Sequence, residues 1–371
     1  MTRTVVLAGT SGYGSTYLRE LTELEGRGTV RLVGLCDVRP LDRGAARQFG
    51  DRAFDTRLDR LLAATSPDLV LVATPIHTHL PLGRQVLDAG CHLLLEKPPL
   101  PSAAEWRELL RLAQRKGLSC QVGFQGLGSH AYARLAELMA AGELGRVNGI
   151  GGYGAWSRDD GYYQRSAWAG RRELDGVPVA DGALTNPFAH AVATALALDN
   201  STGWSDIAGL DMELLRVRDI QVDDTSCLRM RTAHGTVITI AVTLAARTPT
   251  EPVLVVHGTR RRAELHYTQD LLVLDGRPER HGRTSPLENL LAHLDDPQVP
   301  LQCDIAECGA FTRVLDSVNS APAPRLISER WLTHEGEGLQ ARIHIPGVEQ
   351  AVRASAEQLA TFAELDAPWA A

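Results

Sequence analysis

Through the first 125 residues, short continuously apolar runs alternate with longer amphipathic ones. That is the pattern of strand–helix–strand units around a parallel sheet buried on both faces. Residues 4–8, 29–36, 69–73, 92–95 and 119–123 read as strands, and 13–25, 80–89 and 102–116 as helices. Crossover helices between these strands predict a doubly wound sheet over residues 1–124.

From Gln125 the pattern changes. A helix is predicted over 131–141, a strand over 146–155, a long polar-aromatic loop to Asp181, and a strongly apolar helix over 187–198. Strand signals then follow at 213–219, 226–231, 237–244, 253–257, 263–267 and 271–274, several alternating apolar with polar positions. Helices return over 287–294 and 305–318. Residues 125–371 are thus expected to form one α+β domain, with an open, mainly antiparallel sheet and helices on a single face. The other face is left to solvent or to oligomerisation. From about residue 331 a C-terminal extension carries an amphipathic stretch over 351–365, expected to pack on the body or on a partner subunit.

Composition narrows the class. The 371 residues are 44% hydrophobic and 22% charged, too apolar for a disordered chain. Net charge is −7 with scattered basic residues, which argues against a nucleic-acid partner. No apolar run approaches a membrane span or a signal-peptide core. Six dispersed cysteines without zinc spacing predict free thiols in a reducing, cytoplasmic setting and no structural metal. Of 38 basic residues only Lys97 and Lys116 are lysine. A lysine in an informative place therefore gains weight as a compact, titratable ammonium.

The first strand runs into Gly9-Thr10-Ser11-Gly12-Tyr13-Gly14 and then a helix. A dinucleotide fold binds pyrophosphate at such a turn, through backbone N–H groups and the positive helix end. Ser11 stands where the Gly-x-Gly-x-x-Gly fingerprint has its middle glycine. Asp37 ends the second strand, where a carboxylate receives ribose hydroxyls. The other reading is a plain tight turn beside a surface Asp. Strand, helix and Asp37 in register favour dinucleotide binding; Asp37 favours NAD, while Arg39 and Arg43 leave NADP open.

Leu94-Leu95-Glu96-Lys97-Pro98-Pro99 closes a parallel strand, and ligands of open α/β sheets bind at the carboxyl ends of strands. Taken with Ala73-Thr74-Pro75, His77 and His79 after the preceding strand, with Val122-Gly123-Phe124, with Gly142-Glu143-Leu144-Gly145-Arg146-Val147 and with Gly182-Ala183-Leu184, it resembles the Gfo/Idh/MocA oxidoreductases up to about residue 330. The resemblance implies a Rossmann domain, NAD(P), a sugar, cyclitol or related polyol as substrate, and a homodimer or homotetramer. It places cofactor contacts at Gly9, Ser11, Gly12, Tyr13, Gly14, Asp37, Arg39, Thr74, Pro75, His77, Glu96 and Lys97. It also makes Lys97 and His190 the proton-transfer pair.

The family carries an Asp and a His four residues apart on its site helix; here the positions are Asn186 and His190. That spacing puts both on one helical face. Asn186-Pro187 also reads as an N-cap followed by proline at the first helical position, so Asn186 has a structural role to weigh against a site role. His190 likewise has the alternative of a hydrogen-bonded core histidine. In the loop before this helix, Tyr163, Trp168 and Arg171 are the expected substrate contacts, against the alternative of a loop ordered by its own aromatics. The leading expectation is an NAD(P)-dependent dehydrogenase acting on a CH–OH group. A redox-neutral sugar-modifying enzyme that keeps its NAD, and a non-catalytic nucleotide- or sugar-sensing protein, are the alternatives.

Overall fold

The computed structural model describes residues 2–39, 50 and 52–370; Arg43 lies outside them. The described chain forms two compact units. One comprises Met1–Phe124 and Ser285–Ala306, the other Gln125–Thr284 and Glu307–Ala371.

In the first unit, β1 (Arg3–Ala8), β2 (Val30–Cys36), β3 (Ala53–Asp55), β4 (Leu69–Val72), β5 (His92–Leu95) and β6 (Cys120–Val122) form a six-stranded sheet ordered β3-β2-β1-β4-β5-β6. All its pairings are parallel. The order reverses direction at β1 and β4, and ligands of such sheets lodge at that switch point. Sequence periodicity did not locate β3, only three residues long and half-buried throughout. The helix Pro286–Asp295 belongs to this unit, not to the second one where it was expected. Its Leu287, Leu290 and Leu291 share a buried cluster with Tyr17, Leu18 and Leu21 of the helix Gly14–Gly26 and with Val5 and Leu7 of β1.

The second unit is built on β7 (Val147–Ser157), followed in the chain by a separate small hairpin of β8 (Glu173–Leu174) and β9 (Val177–Pro178). Then come β10 (Ile207–Arg216), β11 (Thr225–Thr232), β12 (Val237–Thr243), β13 (Ala245–Gly258), β14 (Arg262–His266), β15 (Leu271–Leu274), β16 (Arg277–Arg280) and β17 (Arg325–Leu326). The nine-stranded sheet runs β16-β15-β14-β13-β7-β12-β11-β10-β17. Only β7 with β12 and β10 with β17 pair in parallel.

Helices cover both faces of this sheet, which corrects the expectation of a single covered face. β7 explains how. Strand residues alternate between faces, and a Cβ at Gly154 would lie 2.4 Å from the Phe188 ring, just before the helix Ala189–Leu198. On the opposite face, a Cβ at Gly151 would lie 1.9 Å from the Ala356 carbonyl oxygen, on the helix Val348–Gln358. Glycine at these two positions lets the Phe188 ring press against the sheet from one side and a helix backbone from the other. The C-terminal extension fills the second face: Val348, Val352, Ala356, Phe362 and Trp369 join Tyr153, Ala155, Cys227, Ala241 and Val255 in one buried cluster. The extension also forms the hairpin of β18 (Thr333–Glu335) and β19 (Arg342–His344).

Candidate active site

The turn after β1 is shaped by two glycines. Gly9 has φ +89°, and a Cβ there would lie 2.4 Å from the Ala73 carbonyl oxygen. A Cβ at Gly14 would lie 2.0 Å from the Gly9 carbonyl oxygen. The loop therefore folds tightly onto the end of β4 and enters the helix Gly14–Gly26 without obstruction. Gly12 has φ +59° with open space around it, and Ser11, Gly12 and Tyr13 are exposed. Exposed N–H groups beside a helix start, with no side chain folded over Gly12, suit a pyrophosphate.

Asp37 is drawn into the same loop. Its Oδ2 accepts from the Thr10 N–H at 2.9 Å and the Thr10 hydroxyl at 2.7 Å, and its Oδ1 accepts from the Arg39 N–H at 3.2 Å. Burial alone would raise this carboxyl, but those donors outweigh it and hold it below the usual value, ionised at neutral pH. Arg39 itself is exposed.

The segment after β5 is fixed from below. Glu96 is buried; its Oε1 accepts from the Tyr17 hydroxyl at 2.7 Å and its Oε2 from the Lys97 N–H at 3.1 Å. A Cβ at Gly123 would lie 2.5 Å from Glu96 Oε1, so glycine at the start of the exit segment makes room for that carboxylate. Glu96, expected as a cofactor contact, thus anchors the backbone that carries Lys97. Lys97 is half-buried and its peptide to Pro98 is cis. After β4, Pro75 is exposed while Thr74 and His77 are half-buried, His77 on a short 3₁₀ turn. The fully buried His79 bridges the two segments, with Nε2 2.8 Å from the Thr74 carbonyl and Nδ1 2.9 Å from the Pro99 carbonyl. Burial is the largest influence on this imidazole and lowers its pKa.

In the second unit His190 is the second residue of the helix Ala189–Leu198, its ring 6.4 Å from that of the buried Tyr267. Asn186 is not the helix N-cap; Phe188 occupies that place, and a run of turns carries Asn186 ahead of it. The Asn186 amide instead donates to Asp181 Oδ1 at 2.5 Å. Asp181, which sequence reasoning passed over, also accepts from the Gly170 N–H at 2.9 Å and from Arg165 at 2.8 and 3.0 Å. Burial is the dominant influence on its carboxyl and raises it despite these donors. A carboxylate five residues upstream therefore stands against the amide at the position where the resemblance expects an Asp.

Arg165 is the loop arginine that this network engages. Its guanidinium lies 3.7 Å from the Tyr162 ring centroid and 4.6 Å from that of Trp168. Arg171 is exposed, and Arg172 donates to the Asn319 and Pro322 carbonyls. Tyr163 lies under Arg218 at 5.0 Å, its hydroxyl buried without a hydrogen-bond partner among the described residues. Two more carboxylates lie beneath: Asp223 accepts from the Ser226 hydroxyl and the Leu184 N–H, and Asp224 from the Val217 N–H. A buried Asp in a polar loop looks like any surface Asp in sequence, so only its fold partners distinguish it.

Among the described residues no helix is long and apolar enough to cross a membrane. Residues 3–124 match the model of an oxidoreductase family with an NAD-binding Rossmann fold, and residues 132–264 match the Gfo/Idh/MocA C-terminal domain. The dTDP-3,4-didehydro-2,6-dideoxy-α-D-glucose 3-reductase of Streptomyces violaceoruber is 34% identical over 29% of this chain and 31% of its own length. The D-glucoside 3-dehydrogenase of Escherichia coli K12 is 30% identical over 33% of this chain and 35% of its own. The chain thus matches about a third of the length of these curated relatives. Among solved structures, the WlbA dehydrogenase of Bordetella pertussis, determined with NADH and UDP-GlcNAcA, superposes with a TM-score of 0.72 at 20% identity, over 86% of this chain and 96% of that one. Both units match the family in chain order, the first as its NAD-binding fold, and the chain belongs to the Gfo/Idh/MocA oxidoreductases.

Proposed function

We propose that this chain is an NAD(P)-dependent dehydrogenase of a CH–OH group on a sugar, cyclitol or related polyol, with Lys97 and His190 sharing the proton. The observation that carries this is the fixing of Lys97 at the carboxyl end of β5, by a buried Glu96 that accepts both the Lys97 N–H and the Tyr17 hydroxyl. A surface lysine needs no such foundation. Gly9, Ser11, Gly12, Tyr13 and Gly14 hold the pyrophosphate in this proposal, Asp37 the ribose, and Thr74, Pro75 and His77 border the nicotinamide. A bound nicotinamide supplies the hydride acceptor. The protein supplies the base: Lys97 Nζ or the His190 imidazole takes the hydroxyl proton while the carbon becomes a carbonyl. Asn186, held by Asp181, orients the substrate hydroxyl beside His190, and Trp168 and Tyr163 offer ring faces to the sugar.

Both curated relatives are named for the sugar 3-position, so the first substrates to try are methyl β-D-glucoside and a nucleotide sugar, then myo-inositol. All six cysteines are buried and outside any disulfide, which supports the cytoplasm as the working compartment. A homodimer or homotetramer remains part of the proposal, through a surface other than the sheet face that the C-terminal extension covers.

The test has two steps. Titration with NADH and NADPH, followed by energy transfer from tryptophan to nicotinamide, is expected to give micromolar binding with NADH preferred. Turnover on the sugar panel is then expected to fall at least about 100-fold in Lys97→Ala, with NADH affinity kept within a few-fold. Hydride transfer intact in that variant overturns the assignment of Lys97.

A further inference from the structure

The segment between β18 and β19, residues 336–341, lies beyond both stretches matched by the family, and its contacts lead to one place. The Asp160 N–H donates to the Ala341 carbonyl at 3.0 Å, and Asp159 forms an antiparallel bridge with Arg342. The Arg342 guanidinium stands 4.0 Å from Asp159 Oδ2. A Cβ at Gly161 would lie 3.1 Å from the Leu339 carbonyl oxygen, so the turn sits directly on the Gly161 backbone. Two left-handed glycines, Gly336 at φ +76° and Gly338 at φ +58°, turn the hairpin end toward it.

The segment it touches begins the loop of candidate substrate contacts. Asp159 caps the single helical turn Asp160–Tyr163 by accepting the Tyr162 N–H at 3.0 Å. Arg165 donates to the Tyr162 carbonyl at 2.7 Å, stacks on the Tyr162 and Trp168 rings, and pairs with Asp181, which holds Asn186. Arg218 ties the same turn to the sheet, donating to Asp160 Oδ1 and to the Arg158 carbonyl, both at 3.0 Å. A four-residue helix has no stability of its own. Its shape comes from what presses on it, and one of those supports is the hairpin turn.

We propose that the turn at residues 336–341 is a positioning element of the active site, holding the 159–172 loop in the shape that receives the sugar. The inference rests on the proposed dehydrogenase reading. It gives the C-terminal extension a part in substrate specificity besides covering the sheet, and it makes the length of this turn a determinant of which sugars fit.

The test replaces residues 336–341 by an Asn-Gly pair, a two-residue turn that suits the existing pairing of Glu335 with Arg342. Hydrogen exchange is expected to rise at least about tenfold in 159–170 and to stay unchanged in the helix Val348–Gln358 and in the first unit. KM for methyl β-D-glucoside, or for the panel sugar that turns over best, is expected to rise about tenfold, with kcat and NADH affinity preserved. Arg342→Ala, which leaves the turn in place, is expected to give a smaller shift of the same kind. Unchanged exchange in the loop overturns the proposal, as does an unchanged KM, or a loss of protection throughout the second unit. A wild-type chain that binds NADH but oxidises none of the panel sugars overturns the dehydrogenase reading instead, and that is known before any variant is made.

Discussion

Asp224 is fully buried, and its burial, outweighing the Val217 N–H and the charge of Arg218, pushes its carboxyl up to about 6. A carboxyl whose folded value exceeds its unfolded one holds its proton more tightly in the folded chain. Its stabilising contribution is complete below about pH 4 and is lost as the pH rises through 6, on the order of 3 kcal/mol in all. Urea unfolding of wild type is expected to lose about 2 kcal/mol more stability between pH 4.5 and 7.5 than unfolding of Asp224→Asn; parallel pH profiles would remove Asp224 as the cause. Asp181 makes the companion case. Asp181→Asn leaves Arg165 without its carboxylate and is expected to cost about 3 kcal/mol with NADH affinity unchanged, which calorimetry and titration together check. Residues of the first unit were legible because their signal is local: glycines at a strand end, a lysine beside two prolines. Asp181 was not, because its partners lie 5, 11 and 16 residues away along the chain, and no period links them.

Elements were legible where a continuous apolar run or an alternation marks them, and their packing partners were silent where the receiving face carries no such pattern. The amphipathic stretch of the extension is visible in the sequence, but its destination is not, because β7 carries glycine at 149, 151, 152 and 154 and shows no apolar alternation to mark the receiving face. Polar residues 247–251 likewise concealed that β13 runs unbroken from Ala245 to Gly258. Gly151→Leu places a side chain where the Ala356 carbonyl now lies and is expected to cost at least about 2 kcal/mol. The helix Val348–Gln358 should then become the first site of protease cleavage. Wild-type cleavage kinetics in that variant would mean that the extension is held elsewhere.

At the scale of the whole molecule the boundary between Phe124 and Gln125 is marked by the change from parallel-sheet to antiparallel-sheet pattern. The return of Ser285–Ala306 to the first unit is not, since a Leu-rich helical stripe does not say which core it enters. Leu290 is fully buried in that core. Leu290→Ala is expected to cost the first unit about 3 kcal/mol, seen as faster hydrogen exchange in β1 and β4 with the second unit's exchange unchanged; equal losses in both units would contradict the division.

That discontinuity bears on how the chain is made. Residues 1–124 leave the ribosome before Leu287, Leu290 and Leu291, which complete the buried cluster of their first helix and sheet and follow roughly 160 residues later, about 10–30 s at ordinary translation speeds. Through that interval the nascent nucleotide-binding unit carries a greasy strip that a chaperone would shield, while the intervening unit is still emerging.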